Sequence, residues 1–382
     1  MVDNEGRTCV YGLRHQARCL TSVVADVDHN KFLVGSQSLR RENEIHLLEF
    51  HEDEFEITSS VFQHSEEVWD IAACPLQSDL FFTCYKKFDS NSTKSKANLW
   101  SMGKTISEDP ETNPQDRRTQ VATSLPLESI FEVDGDATIK KILWDPKKVL
   151  TNFVSIHDYV LNVWSFDDQF ASAKLLSAFE FPSSAGPLAT GAWNPHKPEI
   201  AVGKDGSISG WDIKSQSQTF NINEAHSILV RALDFNPNKP NQIASAGDDR
   251  KVRFWDIRNT SKSIKEISDH THWIWAVAYN RFHDQLLLSS GSDCQVNLQS
   301  IVSISSATFQ YNDYDDNKSE DEYKEIISKP TDGLVRTYDQ HEDSVYSVAW
   351  SAHDPWVFCS LSYDGRAVIN RVPREEKYKI IL

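Results

Sequence analysis

Three segments of the chain, beginning at His226, His270 and His341, share one residue grammar, and this repetition restricts the fold more than any other feature. Nine residues after each His stands an aromatic (Phe235, Tyr279, Trp350), nineteen after it a Ser (Ser245, Ser289, Ser360), and twenty-three after it an Asp (Asp249, Asp293, Asp364). Twenty-nine after it come Trp255, Gln299 and Asn370. His64 with Thr83 repeats one of these intervals, and Asp158 to Trp164 and Asp205 to Trp211 repeat another. Between the marks the sequence reads as short strands: Val230 to Phe235 alternates, Gln242 to Ser245 is bounded by Gly247-Asp-Asp, and Val252 to Trp255 follows that turn.

Trp211 to Trp255 and His226 to His270 each span 44 residues, the length of a WD-type propeller blade built as a four-stranded meander. Trp211-Asp212 and Trp255-Asp256 are literal WD dipeptides. A chain of 382 residues would otherwise suggest two or three domains. The repeat replaces that expectation with an all-β, seven-bladed WD-repeat β-propeller, one ring over residues 1–382 with many small inter-blade cores. The expected blades are Tyr11 to Phe62, His64 to about Gly103 (lengthened by a polar loop Lys86 to Lys96), Gly135 to Asp168, Gly186 to Phe220, Ala225 to Ile267, Asp269 to about Ser303, and Tyr338 to Leu382. Two polar stretches fall outside this pattern, 104–125 and the acidic 310–330, and read as solvated insertions. A closed ring must join its ends, and either Thr8 to Leu13 or Tyr378 to Leu382 supplies the joining strand.

In WD-repeat proteins generally, the loop His, the hydroxyl of the second strand, the turn Asp and the Trp of the third strand form a hydrogen-bonded network that locks each blade. His226, Ser245, Asp249 and Trp255 make the best such tetrad here, whereas Gln299 and Asn370 weaken two blades. The tetrad gives many of the eleven Trp a structural task.

Composition narrows the function. Asp and Glu number 56 against 39 Lys and Arg, a net charge of -17 that repels nucleic acid and anionic headgroups. Six cysteines form no C-x-x-C pair, which predicts reduced thiols in the cytoplasm. The first thirty residues carry no apolar signal-peptide core, and no run of residues is apolar enough for direct membrane insertion. Gly103-Lys-Thr imitates the end of a phosphate-binding loop but follows a strand and has Asn98 where the first Gly belongs. His270-Thr-His272 has the spacing of two metal ligands without the Cys or acidic pair that would complete a site. The once-per-blade Asp residues fit repeat structure better than acid and base work. No catalytic residues, metal or cofactors are expected, and the chain does not read as an enzyme.

The candidates for partner binding come from strand geometry. Positions three and five after each blade His open the innermost strand near one mouth of the ring. They are Glu67 and Trp69, Leu229 and Arg231, Trp273 and Trp275, and Ser344 and Tyr346. Trp, Arg and Tyr are the residues that dominate interaction hot spots, although the same rings serve equally well as packing between blades. A second candidate is the acidic insertion, where Asn312 to Glu325 holds seven acids against two lysines. Ser319, followed by Glu320-Asp321-Glu322, suits an acidophilic kinase and would add charge to a docking loop for a basic partner. The plainer alternative is a loop without a partner.

Words outside the repeat go further. Val10-Tyr-Gly-Leu, Phe32 to Leu39, Asp234 to Lys239, Val302 to Ser306, His341 to Tyr346, Ser360 to Arg366 and Val368 to Arg374 together resemble the EARP- and GARP-complex-interacting family of WD-repeat trafficking factors. The resemblance spans nearly the whole chain. It implies a cytoplasmic, monomeric scaffold that binds the two vesicle-tethering complexes and is recruited peripherally to the trans-Golgi network and recycling endosomes. The functions it implies are endosomal recycling, retrograde transport and dense-core vesicle cargo sorting. A WD-repeat receptor for basic peptides, of the histone-chaperone or peroxisomal-targeting type, is the alternative.

Overall fold

The computed structural model describes residues 8–39, 42–89, 92–103, 125–134, 138–147, 151–183, 186–307 and 331–381. Seven four-stranded antiparallel sheets stand around a central axis as the blades of a β-propeller, and their innermost strands contact one another in a closed cycle. The blades are 17–64, 68–134, 139–180, 188–222, 230–267, 274–338 and 345–371, the last completed by the strand Cys9–Gly12. Alternation explains how each sheet serves two neighbours. Phe81 faces the core between blades one and two, and Phe82 faces the core between blades two and three. In blade five, Ile243 and Ala244 divide in the same way between the cores on either side. Strands buried on both faces therefore read as continuous apolar runs, and the hydrophobic residues gather in seven inter-blade clusters instead of one large core.

Several expected boundaries move. The outermost strand of blade two is Glu128–Asp134 and that of blade six is Gly333–Tyr338, so both insertions interrupt blades between their third and fourth strands. Tyr338 thus ends blade six and does not begin blade seven. Blade three continues past Asp168 into Ala173–Glu180, and Tyr11 belongs to blade seven instead of blade one. The stretch Lys86 to Lys96 is mostly a long hairpin of strands Leu80–Asp89 and Ser92–Ser101. Residues 104–124 and 308–330, with Ser319, lie outside the described residues.

Ring closure falls to the N-terminal stretch. Cys9–Gly12 pairs antiparallel with Arg366–Arg371, and the Leu13 N–H donates to the Gly365 carbonyl at 2.8 Å. The other candidate, Tyr378 to Leu382, does not supply it, because Arg374–Ile381 is a helix with Glu375 and Glu376 in its first turn and Lys379 in its last.

The tetrad is complete in blade five. His226 Nδ1 lies 2.8 Å from Asp249 Oδ1, His226 Nε2 lies 2.7 Å from Ser245 Oγ, and the Trp255 indole N–H donates to the same Ser245 oxygen at 2.9 Å. In blade six His270 meets Asp293 at 2.9 Å and Ser289 at 2.9 Å, while Gln299 turns away to donate to Asp269 at 2.8 Å. Blade seven departs further: His341 contacts Ser360 at 2.8 Å and Ser362 at 2.9 Å, and Asp364 reaches it only through the Ser362 hydroxyl. Asn370 at the Trp position is buried with neither amide atom bonded among the described residues. An unpartnered buried amide costs about 1–3 kcal/mol. Replacing Asn370 with Leu, which keeps the branched shape and removes the polar atoms, should therefore raise stability by about 1 kcal/mol. A urea midpoint that fell instead would show that this amide has a partner.

Candidate functional site

In every blade the pairing of the first strand with the second shifts register at the same place. The shifts fall between Ala17 and Cys19, Val68 and Asp70, Ile139 and Lys141, Leu188 and Thr190, Val230 and Ala232, Ile274 and Ala276, and Val345 and Ser347. A bulge frees one residue from the ladder and re-aims its side chain. The freed residues, in ring order, are Arg18, Trp69, Lys140, Ala189, Arg231, Trp275 and Tyr346. Three are cations and three are aromatic, in a chain whose net charge is -17.

The fold brings most of these side chains into contact at one mouth of the ring. The Arg18 guanidinium lies 4.2 Å from the Tyr346 ring, 5.4 Å from that of Trp69 and 5.7 Å from that of Trp275. Trp275 and Tyr346 have ring centroids 4.7 Å apart, and Arg231 sits 4.7 Å over Trp275. Such contacts fix the cations against flat apolar faces, each contributing about 0.5–2 kcal/mol. Arg231 is further clamped by two bonds to the buried Asp248, at 2.7 and 2.8 Å. Trp275 donates its indole N–H to Ser292 at 2.6 Å, and Ser344 donates to the same hydroxyl at 3.0 Å. Lys140 is held by Asp158 and by the Leu188 carbonyl, at 2.8 and 2.7 Å. On the opposite flank Lys86, on the long hairpin of blade two, lies 4.6 Å over Trp69.

Of the positions expected from the sequence, Trp69, Arg231, Trp275 and Tyr346 come together here, half-buried. Trp273 precedes the strand and is 42% exposed, its ring 6.3 Å from that of Trp275. Leu229 and Ser344 are half-buried in the approach to their strands, and Glu67 is withdrawn from the surface, only 6% exposed. Arg18 and Lys140 were not anticipated, because blades one and three lack the loop His that anchors the count. Aligning the first strands themselves, Ala17-Arg18-Cys19 with Val68-Trp69-Asp70, carries the signal that finds Arg18.

The channel wall below the mouth is closed by polar bonds between neighbouring inner strands. Asp70 accepts from the Ile142 N–H at 3.3 Å, Asp234 accepts from the Tyr279 N–H at 2.8 Å, and the Trp144 and Trp350 indoles donate to the carbonyls of Ala72 and Ala278. These contacts cap strand edges that would otherwise be left unpaired. Burial pushes the Asp70 carboxyl up to about 6 and raises that of Asp234 as well, against the opposing pull of nearby cations. The two acids belong to different inter-blade junctions, and both are engaged in capping. Among the described residues no group of three or more His, Cys, Asp or Glu is arranged to hold a metal ion. His270 is committed to Asp293 and Ser289, which takes it out of any pairing with His272.

Antiparallel order fixes what lies at each end. The first strand starts at the mouth, so turns between second and third strands return to the mouth and connections between third and fourth strands lie at the far end. The chain therefore enters and leaves both insertions at the end away from the bulges.

Residues 6–299 match the family model described as the EIPR1 beta-propeller, and residues 333–369 match the WD domain, G-beta repeat. The chain is 40% identical over 98% of both chains to an EARP-interacting protein homolog of Gekko japonicus, and as similar over the same share to that of Danio rerio. It is 39% identical, again over 98% of both chains, to the EARP and GARP complex-interacting protein 1 of Homo sapiens.

Proposed function

The chain belongs to the EIPR1 β-propeller family, and on that premise we propose that it is a non-enzymatic scaffold that binds the EARP and GARP tethering complexes through the mouth rimmed by Trp69, Arg231, Trp273, Trp275 and Tyr346. The observation that carries this reading is the recurrent bulge, which delivers preordered aromatic and cationic side chains from five blades to one mouth. Side chains already held by neighbours lose little freedom on binding, so more of the contact energy appears as affinity. The protein acts as a monomer in the cytoplasm and reaches the trans-Golgi network and recycling endosomes through the tether. In keeping with that route, no helix among the described residues is long and apolar enough to cross a membrane. Its part in endosomal recycling, endosome-to-Golgi retrograde transport and dense-core vesicle cargo sorting is then to hold tether subunits in a fixed geometry. A receptor for basic peptides is disfavoured, because the mouth presents cations of its own.

Replacing Arg231 and Trp275 together with Ala should sharply reduce recovery of tether subunits in a pull-down. Each truncated anchor costs about 2 kcal/mol or more, roughly thirtyfold in affinity. Deleting 310–330 in the same assay should leave recovery intact, because that insertion departs from the opposite end. Undiminished recovery by the folded double variant moves the binding site off the mouth.

A further inference from the structure

Among the cations freed by the bulges, Arg18 differs from the rest. Arg231 is spoken for by Asp248, and Lys140 by Asp158 and a carbonyl. Arg18 makes no hydrogen bond or ion pair with any described residue, yet it is half-buried and boxed by three aromatic rings drawn from blades two, six and seven. The indole N–H of Trp69, beside it, is buried and likewise lacks an acceptor among the described residues. Rings bind the faces of a guanidinium and leave its five in-plane N–H donors unused. A guanidinium fork held in this way is matched by a carboxylate, which takes two parallel bonds at little further cost in side-chain freedom. Lys86, on the Trp69 side, adds a second cation at 4.6 Å from that ring.

We infer that Arg18 is the receptor for a carboxylate at the centre of the mouth, and that the segment docking there is an acidic peptide whose Asp or Glu side chain enters between Trp69, Trp275 and Tyr346. The inference rests on the mouth being the partner-binding surface and specifies the chemistry of what it takes. Charge favours this occupant: Asp248 matches Arg231 and Asp158 matches Lys140, whereas Arg18 has no counterion among the described residues, and a carboxylate from an acidic segment supplies one.

The test uses the full chain and three capped octapeptides in which Ala alternates with Glu, Gln or Lys, followed by tryptophan fluorescence, because two of the rings around Arg18 are indoles. The Glu peptide should give a saturable change that weakens with added salt, and the Gln and Lys peptides should give none. Arg18→Gln should weaken binding by about tenfold or more, and Arg18→Lys, which keeps the charge and loses the fork, should retain an intermediate affinity. Thermal unfolding of both variants shows that the ring is intact. No binding of the Glu peptide, equal binding of the Gln peptide, or an unchanged affinity in Arg18→Gln overturns the inference. The tether pull-down separates it from the reading beneath it. Loss of recovery with Arg231→Ala and Trp275→Ala but no Glu-peptide binding retains the mouth and rejects the acidic partner. Arg18-dependent peptide binding with full tether recovery retains the carboxylate receptor and rejects the mouth as the tether site.

Discussion

Asp249→Asn should lower stability by about 3–5 kcal/mol at neutral pH, the cost of removing one partner from a buried charged network. The Asp249 carboxylate faces His226 at 2.8 Å and Arg253 at 2.7 Å, and it also accepts from the Ser227 N–H at 3.3 Å. The turn between second and third strands is thereby tied to the loop that leads into the blade. Burial works against the charged form, but the hydrogen bonds and charges of His226 and Arg253 outweigh it and hold this carboxyl well below the usual carboxylate range. A group depressed in the folded chain contributes its stability above the unfolded value, about 3.9, and loses it as pH falls. The gap in urea midpoint between the wild-type chain and Asp249→Asn should therefore be full at pH 7 and narrow below about pH 4. A gap independent of pH would assign the loss to packing instead of charge. Asp364→Asn should cost much less, because Asp364 reaches His341 only through Ser362.

What the sequence reveals and what it hides follow from how tightly each position is constrained. His226, Ser245, Asp249 and Trp255 are legible because four specific donors and acceptors must coincide at fixed offsets, and few other residues satisfy them. Outermost strands such as Glu128–Asp134, Ala173–Glu180 and Gly333–Tyr338 pack on the blade from one side only, so their pattern is weak, and two of these three also follow an insertion. Four of the seven bulge residues are legible for the same reason as the tetrad: the His supplies an origin, and five residues later come Trp69, Arg231, Trp275 and Tyr346. Where the origin is missing, the count fails, and Arg18 stays hidden although its backbone makes the same bulge. The bulge itself is a property of pairing between two strands, so no single stretch of sequence declares it. Helical signals near the C terminus are present in Pro373 and the acids that follow, but the short apolar run Tyr378 to Leu382 competes with them as a candidate strand.

That competition sets up the largest effect expected in this chain. Removing residues 2–12 deletes the outermost strand of blade seven and with it the pairs Cys9 to Ile369, Val10 to Val368, Tyr11 to Ala367 and Gly12 to Arg366. Cys9 and Tyr11 also pack against the cluster shared by blades seven and one, and the Tyr11 hydroxyl lies 3.0 Å from His46 Nδ1, so this strand bridges the first and last blades of the ring. A few ladder bonds at about 1 kcal/mol each, together with this apolar cover, amount to roughly 5 kcal/mol, comparable with the whole stability of an ordinary domain. The exposed edge at Arg366–Arg371, with Val368 and Ile369 buried in the intact ring, would then be open to pairing with other chains. The expected result is loss of the wild-type elution peak on size exclusion and a collapse of the urea midpoint. Removing 374–382 should be far milder. The helix contributes Ile380 to the cluster between blades six and seven and Lys377 over Trp356 at 5.3 Å, contacts worth about 1–2 kcal/mol, and it pairs with no strand. The reverse ranking, with the C-terminal deletion the more damaging, would mean that the ring is held shut by the helix and that the N-terminal strand only decorates a blade already closed.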